Sequence, residues 1–285
     1  MKEIVVVSGK GGTGKTSVTS SLSFCDDSMI LADCDVDASN LPILLKTDEI
    51  KKEDFYSGMI AKIDRDVCSR CGLCYDKCRF ESIIKNDGGF EVDEMNCEGC
   101  GYCKNICPSD AVKMNERRIG YWALCSTRNE KEMVYAELEY SSENSGKLVT
   151  KVKQEARERA KQKGKNYILV DGPPGIGCPV IASLAMADLV IFVTEASLSG
   201  FSDLKRIYEL VKKMNIKCGC IINKADINME ISRDIKAYLD ENDIALLGEL
   251  PFDRGFSSAL NEGKTAYEAE NKYKQIFKKI WEKIK

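Results

Sequence analysis

The chain has 285 residues, 44% apolar and 8% aromatic, enough for a substantial core and too apolar for a disordered chain. Lys plus Arg number 42 and Asp plus Glu 45, so the formal charge is -3 and no global positive field exists to hold nucleic acid. Histidine is absent, which removes imidazole as base, zinc ligand or pH switch and leaves chemistry to carboxylates, lysines, thiols and cofactors.

The chain opens Met1-Lys2-Glu3 and enters an apolar run at once, so no secretory leader is expected and a reducing cytoplasmic compartment is the default. That first run, residues 4–8, is followed by Gly9-Lys10-Gly11-Gly12-Thr13-Gly14-Lys15-Thr16-Ser17, a complete G-x-x-x-x-G-K-T between a predicted strand and helix. Glycines let consecutive backbone N-H groups wrap a phosphate at a helix N-terminus. Lys15 would neutralise the β/γ oxygens, and the Thr16 hydroxyl would ligate Mg²⁺. The next predicted strand, 29–33, ends in Asp33-Cys34-Asp35-Val36-Asp37.

Residues 60–115 break this rhythm, and eight of the 14 cysteines fall between 68 and 107. Cys68-x2-Cys71-x2-Cys74-x3-Cys78 and Cys97-x2-Cys100-x2-Cys103-x3-Cys107-Pro108 share one spacing, that of the bacterial ferredoxin run. Three closely spaced thiolates can grip three irons of one cubane, and the fourth completes the other cubane. Cys68, Cys71, Cys74 and Cys107 are therefore expected on one 4Fe-4S cluster, and Cys97, Cys100, Cys103 and Cys78 on the second. Arg79 stands where the first run would have proline, so the turn there is expected to be looser. Zinc and a disulfide framework are the rivals, the first because zinc sites also use C-x2-C pairs.

Further strand-like runs lie at 133–138, 167–171, 189–194, 218–223 and 245–250, most of them continuous in the manner of strands buried on both faces. Helical stripes fill the gaps: Leu148, Val149, Val152, Ala156 and Ala160 form one, and Leu204, Ile207, Tyr208, Leu210 and Val211 another. Residues 172–194 are weakly charged but interrupted by prolines and glycines, and read as loop, short helix and strand, not as a membrane span. The alternation gives the fold class: α/β, a doubly wound, mainly parallel sheet, with a small inserted α+β ferredoxin-like domain. The predicted division is 1–59 and 116–285 for the P-loop domain and 60–115 for the insertion, with 46–57 and 115–120 as connecting arms.

Lys10, the second lysine of the glycine loop, carries a resemblance: Lys10-Gly11-Gly12 is the deviant Walker A signature of the Mrp/MinD-type P-loop ATPases. In that family, which includes the nitrogenase iron protein, this lysine reaches the partner's nucleotide across a dimer. The resemblance implies a switch I at Asp33 to Asp37, with Asp33 near Mg²⁺ and Asp35 orienting the attacking water. It implies a Walker B and switch II at Asp171-Gly172-Pro173-Pro174-Gly175, with Asp171 near Mg²⁺. Asn223-Lys224-Ala225-Asp226 spells the N-K-x-D that reads guanine in GTPases, but the family hydrolyses ATP and uses the asparagine. ATP/ADP is therefore the expected nucleotide, with Asn223 at the base and Asp226 otherwise a turn residue. The whole chain resembles a MinD-superfamily ATPase with an inserted two-cluster ferredoxin domain.

Glu143 to Leu148 is familiar from the same group, although Ser145 as a helix cap explains it equally well. Cys25, Cys34, Cys125, Cys218 and Cys220 are expected in the core. Cys178 lies seven residues after Asp171, where the nitrogenase iron protein places a ligand of a cluster shared across its dimer, but no counterpart of the second ligand is evident, and a buried or interfacial thiol is the reading preferred. At the C-terminus Tyr273, Ile276, Phe277, Ile280, Trp281 and Ile284 share one helix face, fit to dock on the chain's own sheet or, with the surrounding lysines, on an anionic membrane.

These readings imply a homodimeric ATPase whose nucleotide state gates electron transfer from two clusters to a redox partner. One rival is a carrier delivering clusters to apoproteins, although no C-x-x-C lies outside 68–103. A membrane-positioning ATPase is the other.

Overall fold

The structure, a computed structural model, describes residues 1–139 and 145–285; Glu143 and Asn144 thus lie outside the described residues. Its elements in chain order are β1 (Lys2–Ser8), α1 (Lys15–Leu22), β2 (Met29–Asp33), α2 (Leu41–Leu45), β3 (Asp48–Ile63) and α3 (Leu73–Lys77). Next come β4 (Ile83–Asn86), β5 (Gly89–Val92), α4 (Tyr102–Asn105), β6 (Val112–Ser126), β7 (Glu132–Leu138), α5 (Ser145–Gln162), β8 (Tyr167–Pro174) and α6 (Cys178–Leu184). The chain closes with β9 (Leu189–Glu195), α7 (Leu198–Lys213), β10 (Cys218–Asn223), α8 (Met229–Glu241), β11 (Ala245–Glu249), α9 (Arg254–Asn261), α10 (Ala266–Ala269) and α11 (Asn271–Ile284).

Two compact units result. The first takes in Met1–Glu53, Tyr121–Glu137 and Ser145–Lys285. Its sheet runs β11-β10-β9-β1-β8-β2-β7-β6-β3, and the pairings from β11 through β7 are all parallel. Apolar runs make such strands. β1, β2, β8, β9 and β10 are buried along almost their whole length because helices cover both faces. The stripe on α5 is buried throughout, at Leu148, Val149, Val152, Ala156 and Ala160, and that on α7 at Leu204, Ile207, Tyr208 and Val211, with Leu210 at its half-buried margin. The α11 face resolves the choice between sheet and membrane. Tyr273, Phe277, Ile280, Trp281 and Ile284 are buried in the same core as Ile4, Leu31 and Leu169. At about 1.5–3 kcal/mol for each large apolar side chain removed from water, that docking outweighs a face left free for lipid. Among the described residues, no helix is long and apolar enough to cross a membrane.

The second unit comprises Asp54–Gly120 with Leu138 and Glu139. The two cysteine runs fold alike here. Asp64 and Asp93 each stand four residues before the first cysteine, and their backbone carbonyls accept from the amides of Cys68 and Cys97. Short helices α3 and α4 follow, each entered through a glycine with positive φ, Gly72 at 82° and Gly101 at 74°. β4 and β5 pair antiparallel, Ile83 opposite Val92. Its core is small: Ala61, Ile63, Cys74, Ile83, Phe90, Cys97 and Val112.

Most of 46–57 and all of 115–120, the segments expected as connecting arms, lie within the long strands β3 and β6. Lys51, Lys52, Glu53 and Asp54 hide the strand signal, because β3 is the sheet's edge strand and its early residues face solvent.

Candidate functional site

Strand register brings the first two acidic residues together. Asp33 on β2 pairs with Asp171 on β8, so two carboxylates stand side by side toward the C-terminal ends of adjacent parallel strands, where open α/β sheets bind ligands. β1 is the other neighbour of β8, and the glycine loop leaves its end. The loop enters α1 through Gly14, whose φ of 92° is left-handed and strained for any residue with a side chain.

Lys15 Nζ then lies 3.0 Å from the Asp171 carboxylate and 3.6 Å from that of Asp35. Thr16 donates its hydroxyl to Asp171 Oδ2 at 2.7 Å and Thr19 to Oδ1 at 2.8 Å. Asp33 is held as firmly: Ser39 Oγ donates to it at 2.8 Å, and the amides of Asp35 and Leu41 at 3.0 and 3.1 Å. The structure thus assembles Lys15, Thr16, Asp33, Asp35 and Asp171 at one place. Thr19 and Ser39 belong to this group too; an i+4 hydroxyl on the helix after Lys15 is the signal that would have found Thr19.

Burial would lower the Lys15 ammonium's pKa, but Asp171, Asp33 and Asp35 outweigh it and hold the group above the ordinary lysine value. Burial pushes Asp33 up, with repulsion from Asp171 adding and Lys15 opposing. Asp35 is raised by burial against the pull of Lys15. One ammonium facing three carboxylates leaves negative charge to be met. Hard hydroxyl and carboxylate oxygens at Thr16 and Asp171 are the donor set Mg²⁺ takes. Thr13 is buried in the loop, and its hydroxyl finds no partner among the described residues, a donor suited to an added phosphate oxygen.

Lys10 is held differently. Its Nζ lies 2.7 Å from Glu195 Oε1 and donates to Ser199 Oγ at 2.7 Å, while Lys224 approaches the same glutamate at 2.9 Å. Desolvation alone would raise the Glu195 pKa, but hydrogen bonds from Lys10 and Lys224 bring it down to about 2 from an ordinary 4.5. A depressed folded value stabilises the fold above the unfolded pKa, and that contribution is lost as pH falls through the folded one. Glu195→Gln should therefore lower the urea midpoint at pH 7, with the difference shrinking toward pH 2. Equal destabilisation at both would show that the charge pairing contributes nothing. Nothing in the sequence marks Glu195, whose two lysine partners are distant along the chain.

A cavity of about 140 Å³ adjoins the glycine loop, lined by Gly14, Ser17, Asn223, Pro251, Phe252 and Phe256 among others. Its apolar wall suits a flat base. Asn223 donates to the Thr13 carbonyl at 2.8 Å. Asp226 is not part of the lining. Its carboxylate accepts from the Phe252 amide at 2.6 Å, so the last letter of N-K-x-D clamps the loop after β11. Residues 251–256 escape sequence reading because they are a short loop and the first turn of α9, too short for a periodicity to mark.

In the second unit all eight clustered cysteines are free thiols, as are the other six of the chain. A cavity of about 360 Å³ is lined by Cys78, Cys97, Cys100 and Cys103, with Cys74 also at its wall. A much smaller one of about 10 Å³ is lined by Cys68, Cys71, Cys74 and Cys107. Among the described residues, no three cysteine or carboxylate side chains converge closely enough to hold a single metal ion. Cys78 Sγ lies 3.1 Å from Ser82 Oγ, and Cys107 Sγ 3.6 Å from Ser109 Oγ. Although burial raises both thiols, these hydroxyls and nearby backbone amides outweigh it and hold both below the ordinary cysteine value. Of the remaining cysteines, Cys34, Cys125 and Cys220 are buried, Cys25 and Cys218 half-buried, and Cys178 is exposed at the start of α6.

A parallel sheet with a glycine loop feeding a lysine and a threonine toward two strand-end aspartates defines a P-loop nucleotide-binding protein. Residues 4–266 match the model of the CobQ/CobB/MinD/ParA nucleotide binding domain, and the chain belongs to that family as a MinD/ParA-type ATPase. An uncharacterized protein of Methanocaldococcus jannaschii is 31% identical over 99% of this chain and 96% of its own. The putative septum site-determining protein MinD of Nephroselmis olivacea is 23% identical over 92% of this chain and 78% of its own. Among solved structures, the fold is similar to that of Pyrococcus horikoshii MinD complexed with Mg-ADP, at a TM-score of 0.57 and 20% identity over 99% of this chain and 95% of that one. It is also similar to the McdA(D38A)-ATP complex of Cyanothece, at 0.54 and 17% over 99% and 94%.

Proposed function

We propose that the protein is a homodimeric, Mg²⁺-dependent ATPase whose nucleotide state is coupled to a ferredoxin-like unit with two 4Fe-4S clusters, gating electron transfer to a redox partner. The observation that carries this reading is the grouping of thiols around the two cavities. Each is lined by three cysteines of one run and the fourth of the other, with Cys74 at the wall of both, and crossed cubane ligation requires that pairing of three and one. A cubane takes one thiolate at each iron, so its ligands surround a cavity, whereas a zinc ion gathers four around a point. The small core of the unit adds support, since so few buried side chains call for a metal staple.

In the nucleotide site Lys15 and the loop amides would hold the phosphates. Thr16 and Asp171 would hold Mg²⁺, with Asp33 beside them, fixed by Ser39 and the Leu41 amide. Asp35 would orient the attacking water. ATP is favoured over GTP because Asp226 is engaged with the Phe252 amide.

When bound, the clusters supply one-electron redox chemistry; the chain supplies their thiolates and the hydroxyls beside them. Gating requires that ATP and ADP states bind the dimer mate or the partner differently, because that difference is all the free energy available. Linkage is reciprocal, so saturating ATP must displace the cluster reduction midpoint if cluster reduction alters ATP affinity. An unmoved midpoint would leave the carrier reading. That second reading has support in a 27% match over 150 residues to the iron-sulfur cluster carrier protein of Clostridium perfringens, covering 48% of this chain and 52% of that one.

A further inference from the structure

The two cysteine runs differ in one detail that their common spacing hides. After Cys78 a serine stands at the fourth position, Ser82. After Cys107 it stands at the second, Ser109, with Ala111 at the fourth. Both hydroxyls face the sulfur of the fourth cysteine, but not equally. Ser82 is only 3% exposed, and its hydroxyl lies 3.1 Å from Cys78 Sγ, its one hydrogen-bond partner among the described residues. Ser109 is half-buried and lies 3.6 Å from Cys107 Sγ, which also accepts from the Ala111 amide at 3.3 Å. A thiolate bound to iron can only accept, so in a loaded site the hydroxyl must be the donor.

A hydrogen bond to a ligand sulfur withdraws electron density and stabilises the cluster state that carries the extra electron; in a dry site it is stronger than in water. We propose that Ser82 is a positioning residue that raises the reduction potential of the cluster held by Cys78, Cys97, Cys100 and Cys103, making the two clusters unequal and that cluster the preferred seat of the first electron. This inference rests on the two-cluster reading above. The step is a one-electron reduction of a cluster by the titrant dithionite, with no bond to the protein made or broken.

The test is an anaerobic dithionite titration of the full chain, followed by electron paramagnetic resonance, with iron counted in every sample. Ser82→Ala should shift one couple down, by about tenfold in the reduced-to-oxidised ratio at fixed potential, or about 59 mV for one electron, and leave the other in place. Ser82→Thr, which keeps the hydroxyl, should restore the wild-type couple. Ser109→Ala should move its couple less. Ser82→Val is the second hydroxyl-free variant, and the shift is read in whichever of the two retains wild-type iron. Full iron with both couples unmoved in that variant would overturn the role of Ser82 alone. A wild-type protein that holds zinc or no iron would overturn the two-cluster reading and this inference with it.

Discussion

Lys10→Ala should still bind ATP and hydrolyse it about 10³-fold or more slowly than the wild type, whereas Lys15→Ala should weaken binding itself. The difference follows from where the two lysines sit. Lys15 is buried at the start of α1 against Asp171 and Asp35, within reach of phosphates held by its own loop. Lys10 is at the outer curve of the loop, partly exposed, and bonded to Glu195 and Ser199 of its own chain. On the proposed mechanism it leaves Glu195 when two subunits close and neutralises charge developing on the partner's transferring phosphoryl group, as an arginine finger does, an effect of about 10³-fold or more. Mixing Lys10→Ala with Asp35→Ala subunits separates this from a role in cis. A heterodimer can assemble one site with both groups intact, so mixed samples should recover hydrolysis that neither parent shows. Heterodimers that form without recovery, or a Lys10→Ala protein at the wild-type rate, would show that Lys10 acts within its own chain or not at all.

Cys78→Ala should damage the cluster held by Cys97, Cys100 and Cys103, although Cys78 belongs to the other run. Anaerobically purified wild type should hold about 8 Fe and 8 acid-labile sulfides per chain, and the variant about half as much intact cluster. The reason is in the cavity linings, where Cys78 faces the second run and Cys107 the first. Cys78→Ala and Cys97→Ala should therefore leave the same residual spectrum, and Cys68→Ala a different one. If Cys78→Ala instead matches Cys68→Ala, ligation is not crossed.

The sheet was legible because buried parallel strands are continuous apolar runs. Residues 29–33 and 218–223 are strands in the structure over the same bounds. So was the grouping of Lys15, Thr16, Asp33, Asp35 and Asp171, since a glycine loop and acidic strand ends have fixed places in such a sheet. β3 was not, because an edge strand with exposed Lys51, Lys52 and Glu53 carries no apolar alternation. Nor was the clamp on Lys10. Glu195 lies 185 residues away along the chain, and the parallel pairing of β9 with β1 sets the end of β9 beside the glycine loop. Ser82 was hidden for a different reason: a serine after a cysteine is ordinary until its hydroxyl is seen to face the sulfur.

Coupling between nucleotide and clusters is tested most directly by the ATP and ADP dissociation constants of the same anaerobic sample, oxidised and then reduced by dithionite. Reduction should change the ratio of the two constants, by fivefold or more if the coupling is about 1 kcal/mol or larger. Identical constants in both states would contradict electron gating and favour a protein that carries its clusters to another.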